Sequence, residues 1–144
     1  MLRIAVVMAL AGLLMAGQVG AETPDLEPGE WRMQNRITFE GGPPMPEQNQ
    51  ENTECLTREQ IEEGPDQLLE DPEGNCEVTE LEQDASSMRY TMSCAMEGGE
   101  DMTMDGEMKF LGDRMEGGYT GEMSAGGETM RMKMEVTGER VGDC

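Results

Sequence analysis

Methionine side chains recur at every second position in the last third of the sequence, and polar or charged residues fill the positions between them. The clearest runs cover residues 102–110 and 130–137, and residues 31–39 show the same alternation. Successive side chains of a β-strand point to opposite faces, so a period of two predicts strands with one apolar and one polar face. The chain is therefore expected to form an antiparallel sheet whose apolar face is built mainly from methionine.

The predicted architecture is mainly β. Short glycine-containing loops separate the alternating runs, so consecutive strands are expected to be neighbours in a meander of about six strands. Only 3% of the residues are aromatic, whereas 16 are methionine. A sheet with a methionine face must curl on itself, into a barrel-like form, or be covered, because that face would otherwise stay in contact with water.

The segment after the first predicted strand contains a helix signal. Residues 45–54 are polar and are expected to form a loop. Thr57 is followed three residues later by Gln60, which matches a capping box, and a Gly-Pro pair follows shortly afterwards. This pattern predicts a short helix over residues 58–63, and residues 66–70 are expected to add one further turn.

The amino-terminal segment has the three parts of an export signal. Arg3 precedes an apolar run over residues 4–17, and small residues end at Ala21. The apolar run is shorter than the ~20 residues that a membrane-spanning helix needs. We therefore expect residues 1–21 to be a cleaved signal peptide, and residues 22–144 to form one small β-rich domain in the periplasm or outside the cell, with no membrane anchor.

The four cysteines are expected to form two disulfides. An even number of cysteines in a small exported chain is typical of a disulfide framework, and none of the pairs has the close spacing of a zinc site. Two alternating runs flank a polar connection centred on Ala85, and a symmetric hairpin register places Cys76 directly opposite Cys94. Opposed positions of an antiparallel pair lie within disulfide reach. By elimination, Cys55 pairs with Cys144.

Charge and composition exclude several classes of function. The chain has 31 acidic and 10 basic residues, a formal net charge of −21, and no histidine. Such a surface repels nucleic-acid phosphates, and the lack of histidine excludes the Ser-His-Asp and Cys-His arrangements. We therefore expect no enzymatic activity, no cofactor and no nucleic-acid partner. The acidic surface is expected to attract cations, although no segment has the spacing of an EF-hand loop.

The methionines leave alternative interpretations open. Thioethers are soft ligands that select copper(I), which makes Met102, Met104, Met130, Met132 and Met134 candidate metal ligands. Side chains on one face of a strand are about 6.6 Å apart, so a metal site would need contributions from neighbouring strands. Methionine also fills irregular cores, and exposed methionines can be oxidised sacrificially. Core filling accounts for the observed spacing without a metal.

Short motifs occur in a fixed order over nearly all of the residues after the export signal. They are Pro28-Gly29-Glu30-Trp31, Cys55-Leu56-Thr57-Arg58-Glu59-Gln60, Cys76, Cys94, Gly118-Tyr119-Thr120-Gly121 and Gly138-Glu139-Arg140-Val141-Gly142-Asp143-Cys144. In this the sequence resembles a bacterial family of exported proteins known as domain of unknown function 3617, which has no assigned activity. We expect a non-catalytic structural or binding module of the cell envelope, with an unidentified envelope protein or small ligand as partner. Copper(I) binding is the alternative.

Overall fold

Seven antiparallel strands and one short helix make up the part of the chain that the computed structural model describes, which is residues 22–64, 69, 75–95, 101–125 and 127–144. The strands are β1 (Gly29–Glu40), β2 (Gln48–Leu56), β3 (Cys76–Gln83), β4 (Ser87–Ala95), β5 (Asp101–Phe110), β6 (Arg114–Ala125) and β7 (Glu128–Gly142), and the helix α1 is Arg58–Glu63. The expected mainly β architecture with one helix is confirmed.

The strands form one sheet in the order β2-β1-β7-β6-β5-β4-β3. The segment from β3 to β7 is the expected meander, and β1 then pairs with β7. The sheet is open rather than closed into a barrel, because β2 and β3 are its two edges and do not pair with each other. Because β2 has polar residues on both faces, pairing of β2 with β3 to close a barrel would bury few apolar side chains.

The strand register places the methionines together on one face, which we call the methionine face. Met92 lies opposite Met104, and Phe110 lies opposite Met115. Cross-strand partners project to the same side of a sheet, so the alternation in each strand continues from one strand to the next. The prediction of one methionine face and one polar face is confirmed. The buried apolar residues of the strands are Trp31, Met88, Met92, Cys94, Met102, Phe110, Met115, Met130 and Val136.

Glycines at inward positions make room for the thioethers of the neighbouring strands. A Cβ atom placed on Gly138 would lie 2.7 Å from Met33 Sδ. One placed on Gly117 would lie 2.9 Å from Met108 Sδ, but also 2.1 Å from the carbonyl oxygen of Glu107, so the backbone of β5 excludes a side chain there as well. Each thioether therefore occupies the space that a larger residue would fill. Methionine and glycine together pack the face as large and small residues do in other cores.

Gly118 approaches β7 so closely that no side chain fits. A Cβ atom there would lie 2.0 Å from the carbonyl oxygen of Met134, which is backbone and can move only with its strand. We expect Gly118→Ala to lower the free energy of unfolding by about 3 kcal/mol, measured by urea unfolding followed by circular dichroism. The matched control is Gly142→Ala, because nothing lies within 4 Å of a Cβ atom at Gly142. Equal effects of the two substitutions would contradict this packing.

The segment before β1 crosses one end of the sheet and ties two turns together. The amide of Asp25 donates to the carbonyl of Ala85 at 2.6 Å in the β3–β4 turn, and the amide of Glu27 donates to the carbonyl of Gly112 at 2.9 Å in the β5–β6 turn. Trp31 is fully buried, and its Nε1 donates to the Glu27 carbonyl at 3.0 Å. This crossing closes one end of the methionine face.

The prediction of a polar loop over residues 45–54 is wrong, because most of these residues belong to β2. The strand pairs with β1 from Gly29 opposite Leu56 to Ile37 opposite Gln48. All of β2 except Leu56 is exposed, so the strand forms through backbone hydrogen bonds to β1 rather than through burial. Hydrophobic periodicity gives no signal for such a strand.

The helix prediction is confirmed over the expected residues. The backbone amide of Gln60 donates to Thr57 Oγ1 at 3.2 Å, and the amide of Thr57 donates to Gln60 Oε1 at 2.8 Å. These two bonds are the predicted capping box and satisfy amides that the helix itself leaves without partners. Ile61 is the buried residue of α1.

Two predicted segments fall outside the described residues. They are residues 1–21, interpreted as an export signal, and residues 66–70, apart from Leu69, interpreted as a further turn. Within the described ranges, no helix combines the length and the apolar character that crossing a membrane requires.

Candidate functional site

Each edge strand of the open sheet is fastened by a disulfide. Cys55 at the end of β2 is bonded to Cys144, 89 positions later, just after β7. Cys76 in β3 is bonded to Cys94, which lies directly opposite it in β4. Both predicted pairings are present, and no cysteine of the chain is free. The cysteines therefore cross-link the sheet and offer no thiolate for nucleophilic chemistry.

Three of the five candidate thioether ligands surround Gly121 on the methionine face. Met104 on β5 and Met132 on β7 lie opposite Gly121 from its two sides. A Cβ atom on Gly121 would lie 3.5 Å from Met102 Sδ and 3.0 Å from Met104 Cγ. We call Met102, Met104 and Met132 the Gly121 thioether group.

The structure separates the other two candidates from this group. Met130 lies opposite Met123, and its ε-methyl carbon is 3.0 Å from the Cβ position of Gly42. Met134 lies opposite Tyr119, in the next row of the face. The five methionines predicted as ligands therefore share a face, but they do not all meet at one point.

A broad concavity, which we call the polar concavity, is lined by the charged side chains of the polar face together with residues of the methionine face such as Tyr90, Tyr119 and Met134. Its volume is about 1120 Å³, and it spans β3 to β7. Six carboxylates and three basic groups line it, so its charge is negative. No local sequence pattern marks this site, because its lining residues are brought together only by the lateral order of five strands. The polar lining side chains are Glu80, Glu82, Arg89, Thr91, Asp105, Glu107, Lys109, Glu116, Thr120, Lys133, Glu135 and Thr137.

Two of the three basic groups in the polar concavity already form ion pairs with carboxylates. Arg89 Nε lies 3.4 Å from Glu107 Oε2, and Lys133 Nζ lies 3.2 Å from Glu135 Oε1. Glu135 also accepts hydrogen bonds from Arg36 on β1, and these bonds, followed by the bond from Lys133, hold the pKa of Glu135 below its usual value. Glu135 therefore stays ionised.

Several carboxylates in the polar concavity have no such partner. Glu80, Glu82 and Glu116 make no ion pair with any residue of the described ranges. Asp105 Oδ1 accepts a hydrogen bond from Thr91 Oγ1 at 2.8 Å, which orients the carboxylate without neutralising it. The concavity thus has a surplus of negative charge that remains available to a partner.

Asp84 stabilises the turn between β3 and β4. Its Oδ1 accepts hydrogen bonds from the amide and hydroxyl of Ser86, both at 2.7 Å, and from the amide of Ser87 at 2.8 Å. These bonds, those from Ser86 above all, lower the pKa of Asp84. A carboxylate with a lowered pKa stabilises the fold above its unfolded-state pKa, and this contribution is lost as the pH falls through the folded-state pKa.

We therefore expect Asp84→Asn to lower the thermal midpoint at pH 7, and the difference from the native protein to shrink below the ordinary aspartate pKa of 3.8. Glu116→Gln serves as a control, because Glu116 makes no side-chain hydrogen bond with the described residues. Calorimetry between pH 2.5 and 7 measures both differences. A difference for Asp84→Asn that stays constant over this range would contradict the role of the ionised carboxylate.

The two tyrosines belong to the methionine face. A Cβ atom on Gly106 would lie 2.3 Å from Tyr90 Cζ, so the Tyr90 ring covers its glycine partner across the strand pair. Burial raises the pKa of Tyr90 and Tyr119, and the proximity of Tyr119 adds to the effect on Tyr90. Both phenols therefore stay protonated near neutral pH and do not provide a base.

Metal binding through hard or borderline ligands finds no support in the described part of the chain. There, no three or more cysteine, aspartate or glutamate side chains are grouped so that they could hold a metal ion. The chain contains no histidine.

These features define a small, disulfide-fastened, open antiparallel sheet with a methionine face and an acidic polar face. Disulfides of this kind are typical of proteins that fold outside the reducing cytosol. A family model described as Protein of unknown function (DUF3617) matches residues 26–144. The chain belongs to this family, as the order of the sequence motifs predicts. No curated protein and no solved structure matches the chain.

Proposed function

We propose that the protein is an exported, non-catalytic binding module that binds a cationic partner in the polar concavity. The observation that carries this proposal is the excess of carboxylates there, six against three basic groups. Two of those basic groups, Arg89 and Lys133, already pair with carboxylates of the same surface. Complementary charge accelerates association and selects partners. The partner is then a basic segment of an envelope protein or a small cationic ligand.

Export to the periplasm supplies the oxidising environment that the two disulfides need. The export signal predicted over residues 1–21 implies the same compartment. When the full chain is expressed in a bacterium, we expect the protein in the periplasmic fraction to begin at Glu22, as read by amino-terminal sequencing. Recovery of only unprocessed protein in the cytoplasm would contradict export.

The binding site is tested by titrating the ¹⁵N-labelled exported protein with a tetralysine peptide, using tetraglutamate as the control ligand. We expect amide shifts to concentrate in β3 to β7 around the polar concavity. Glu82→Gln combined with Glu116→Gln should weaken tetralysine binding roughly threefold to tenfold, because each exposed charge pair contributes ~0.2–1 kcal/mol.

The matched control carries Glu59→Gln and Glu62→Gln on α1, which remove the same charge away from the concavity. This control should bind tetralysine as the native protein does. Shifts spread evenly over the acidic surface, with equal loss in both variants, would show general charge attraction and would overturn the assignment of the site.

Copper(I) binding is a second candidate function, favoured by the Gly121 thioether group. Thioethers from β5 and β7 lie on both sides of a glycine whose missing side chain leaves space between them. Met102 is 8% exposed, whereas Met104 and Met132 are partly exposed, so a soft ion could reach the group from solvent. Copper(I) is the ion that thioether ligands select.

This second candidate predicts that copper(I), titrated under reducing conditions against a competing chelator, binds with a Kd below about 1 µM. Replacing Met102, Met104 and Met132 with leucine should abolish that binding. The same change at Met33 and Met115, at the other end of the face, should leave it intact. Methionine-to-leucine changes largely conserve volume, so both variants are expected to fold. Binding weaker than micromolar, or equal loss in the two variants, would contradict a copper site.

A further inference from the structure

The edge strand β2 differs from the other strands because burial does not stabilise it. Of its nine residues, all but Leu56 are exposed. Side chains on both faces are polar, as the sequence Gln-Asn-Gln-Glu-Asn-Thr-Glu shows for its first seven residues. Its hydrogen-bonding partner in the sheet is β1 alone, so the outer row of backbone amides and carbonyls of β2 is not used by the sheet.

The outer edge of β2 also lacks features that usually block strand pairing. Natural sheets protect edge strands with bulges, prolines or lysines. The opposite edge strand, β3, has a register irregularity between Val78 and Glu80. The pairing of β2 with β1 runs without irregularity from Leu56 to Gln48, and β2 contains neither proline nor lysine. The edge of β2 is therefore regular over its whole length.

The Cys55–Cys144 disulfide holds this strand in place from its far end. Cys55 lies in β2 next to Leu56, and its partner follows β7. Fixing the end of a strand reduces the conformational freedom that is lost when another chain pairs with it. The edge is thus prepared for pairing before a partner arrives.

We propose that β2 is a docking edge at which an extended segment of another polypeptide adds as a further strand, with basic side chains at alternate positions. The charge of the edge selects this partner. Glu51 and Glu54 lie in β2, and Glu47 lies just before it. Glu47 accepts a hydrogen bond from Asn49 at 3.0 Å, and Glu51 accepts one from Gln34 at 2.9 Å. Opposite charges facing each other across a strand pair are stabilising.

A second copy of the chain fits this edge poorly. Pairing of β2 with another β2 would place two strands of the same sign side by side, each with Glu51 and Glu54, and the full chain has a net charge of −21. Like charges opposed across a strand pair are destabilising. A basic extended segment could form the same backbone hydrogen bonds with β2, and its charges would attract the glutamates instead of repelling them. Strand addition of this kind supplies affinity through main-chain hydrogen bonds.

The proposal is tested with a nonapeptide in which lysine alternates with threonine. The control is a nonapeptide in which lysine alternates with proline, which has the same charge but cannot donate backbone hydrogen bonds at the proline positions. We expect the first peptide to slow amide hydrogen exchange in β2, and the control peptide to leave the exchange there unchanged. Equal protection by both peptides would show charge attraction alone and would overturn strand addition.

Charge-reversed variants separate this edge from the polar concavity. Glu47→Lys combined with Glu51→Lys should weaken the protection of β2 amides by the lysine-threonine peptide about tenfold, whereas Glu80→Lys with Glu82→Lys in the polar concavity should leave the protection of β2 unchanged, whatever they do to binding in the concavity. Protection confined to β3 to β7, or loss only in the second variant, would place the peptide in the concavity and overturn the docking edge. The docking edge would also be overturned if the peptide-free protein sedimented as a dimer and its β2 amides were already protected from exchange.

Discussion

Replacing Trp31 with alanine is expected to lower the free energy of unfolding by about 3–5 kcal/mol. Trp31 is fully buried where the amino-terminal segment crosses the sheet, and its indole nitrogen donates to the Glu27 carbonyl. The substitution therefore leaves a large cavity and an unsatisfied carbonyl at the closed end of the methionine face. A loss of this size is a large fraction of the 5–15 kcal/mol that typically stabilises a domain.

The measurement is urea unfolding followed by far-ultraviolet circular dichroism, because Trp31 is the only tryptophan and its fluorescence disappears with it. Trp31→Phe is the control. It keeps most of the apolar contact and removes the hydrogen bond, so its cost should be smaller than that of Trp31→Ala. A loss below about 0.5 kcal/mol for Trp31→Ala, the range of ordinary surface changes, would contradict a core centred on this residue.

Removal of the Cys55–Cys144 disulfide is expected to have an effect of similar size. Both cysteines are replaced by alanine so that no free thiol remains. The bond closes a loop with a sequence separation of 89, and loop-closure entropy gives a stabilisation of about 4–5 kcal/mol. The shorter loop closed by Cys76–Cys94, with a separation of 18, gives about 3 kcal/mol.

The two double alanine variants provide a matched pair, since each removes one cross-link from one edge strand. Urea unfolding should show the larger loss of stability for the Cys55/Cys144 variant. Hydrogen exchange should also become faster in β2 for that variant, because β2 then keeps only its pairing with β1. The reverse order of the two losses, with unchanged exchange in β2, would contradict the fastening of the edge by the longer cross-link.

The parts of the structure that could be predicted depend on local patterns. The alternation of methionine with polar residues predicted the faces of β5 and β7, and the capping box formed by Thr57 and Gln60 predicted α1. A symmetric register about Ala85 predicted Cys76 opposite Cys94, and the two are opposed, but the observed turn places Gln83 opposite Met88 and a register shift between Val78 and Glu80 restores the expected pairing. For the strand faces and the helix, the information lies within a short stretch of sequence.

Features that depend on distant pairing were not predictable. β2 has no apolar period, so its strand conformation follows from pairing with β1. The polar concavity requires the lateral order of five strands, which alternation does not specify. The inward glycines have no side chain and therefore give no periodic signal in the sequence. In the structure, Gly117 and Gly138 are the positions over which thioethers from neighbouring strands pack.

For the candidate thioether ligands, the sequence predicted the shared face but not the neighbours across strands, because strand pairing is not a local property. Alternation correctly placed the five methionines on one face, but it did not specify which of them are neighbours across strands. The pairings of Gly121 with Met104 and with Met132 bring two of them together, whereas Met134 is paired with Tyr119. Residue spacing within one strand predicts a face, and strand register determines the groups within that face.

The central claim is that the thioethers of the methionine face are packed inside while the carboxylates face water. Brief treatment of the native protein with hydrogen peroxide, followed by mass spectrometry of its peptides, tests this claim most directly, because oxidation to sulfoxide follows exposure. Met45 is 39% exposed and should be oxidised first, whereas Met88 at 2% and Met115 at 4% should react at least about tenfold more slowly until the protein is unfolded. Oxidation of Met88 and Met115 at the rate of Met45 in the folded protein would contradict the claim.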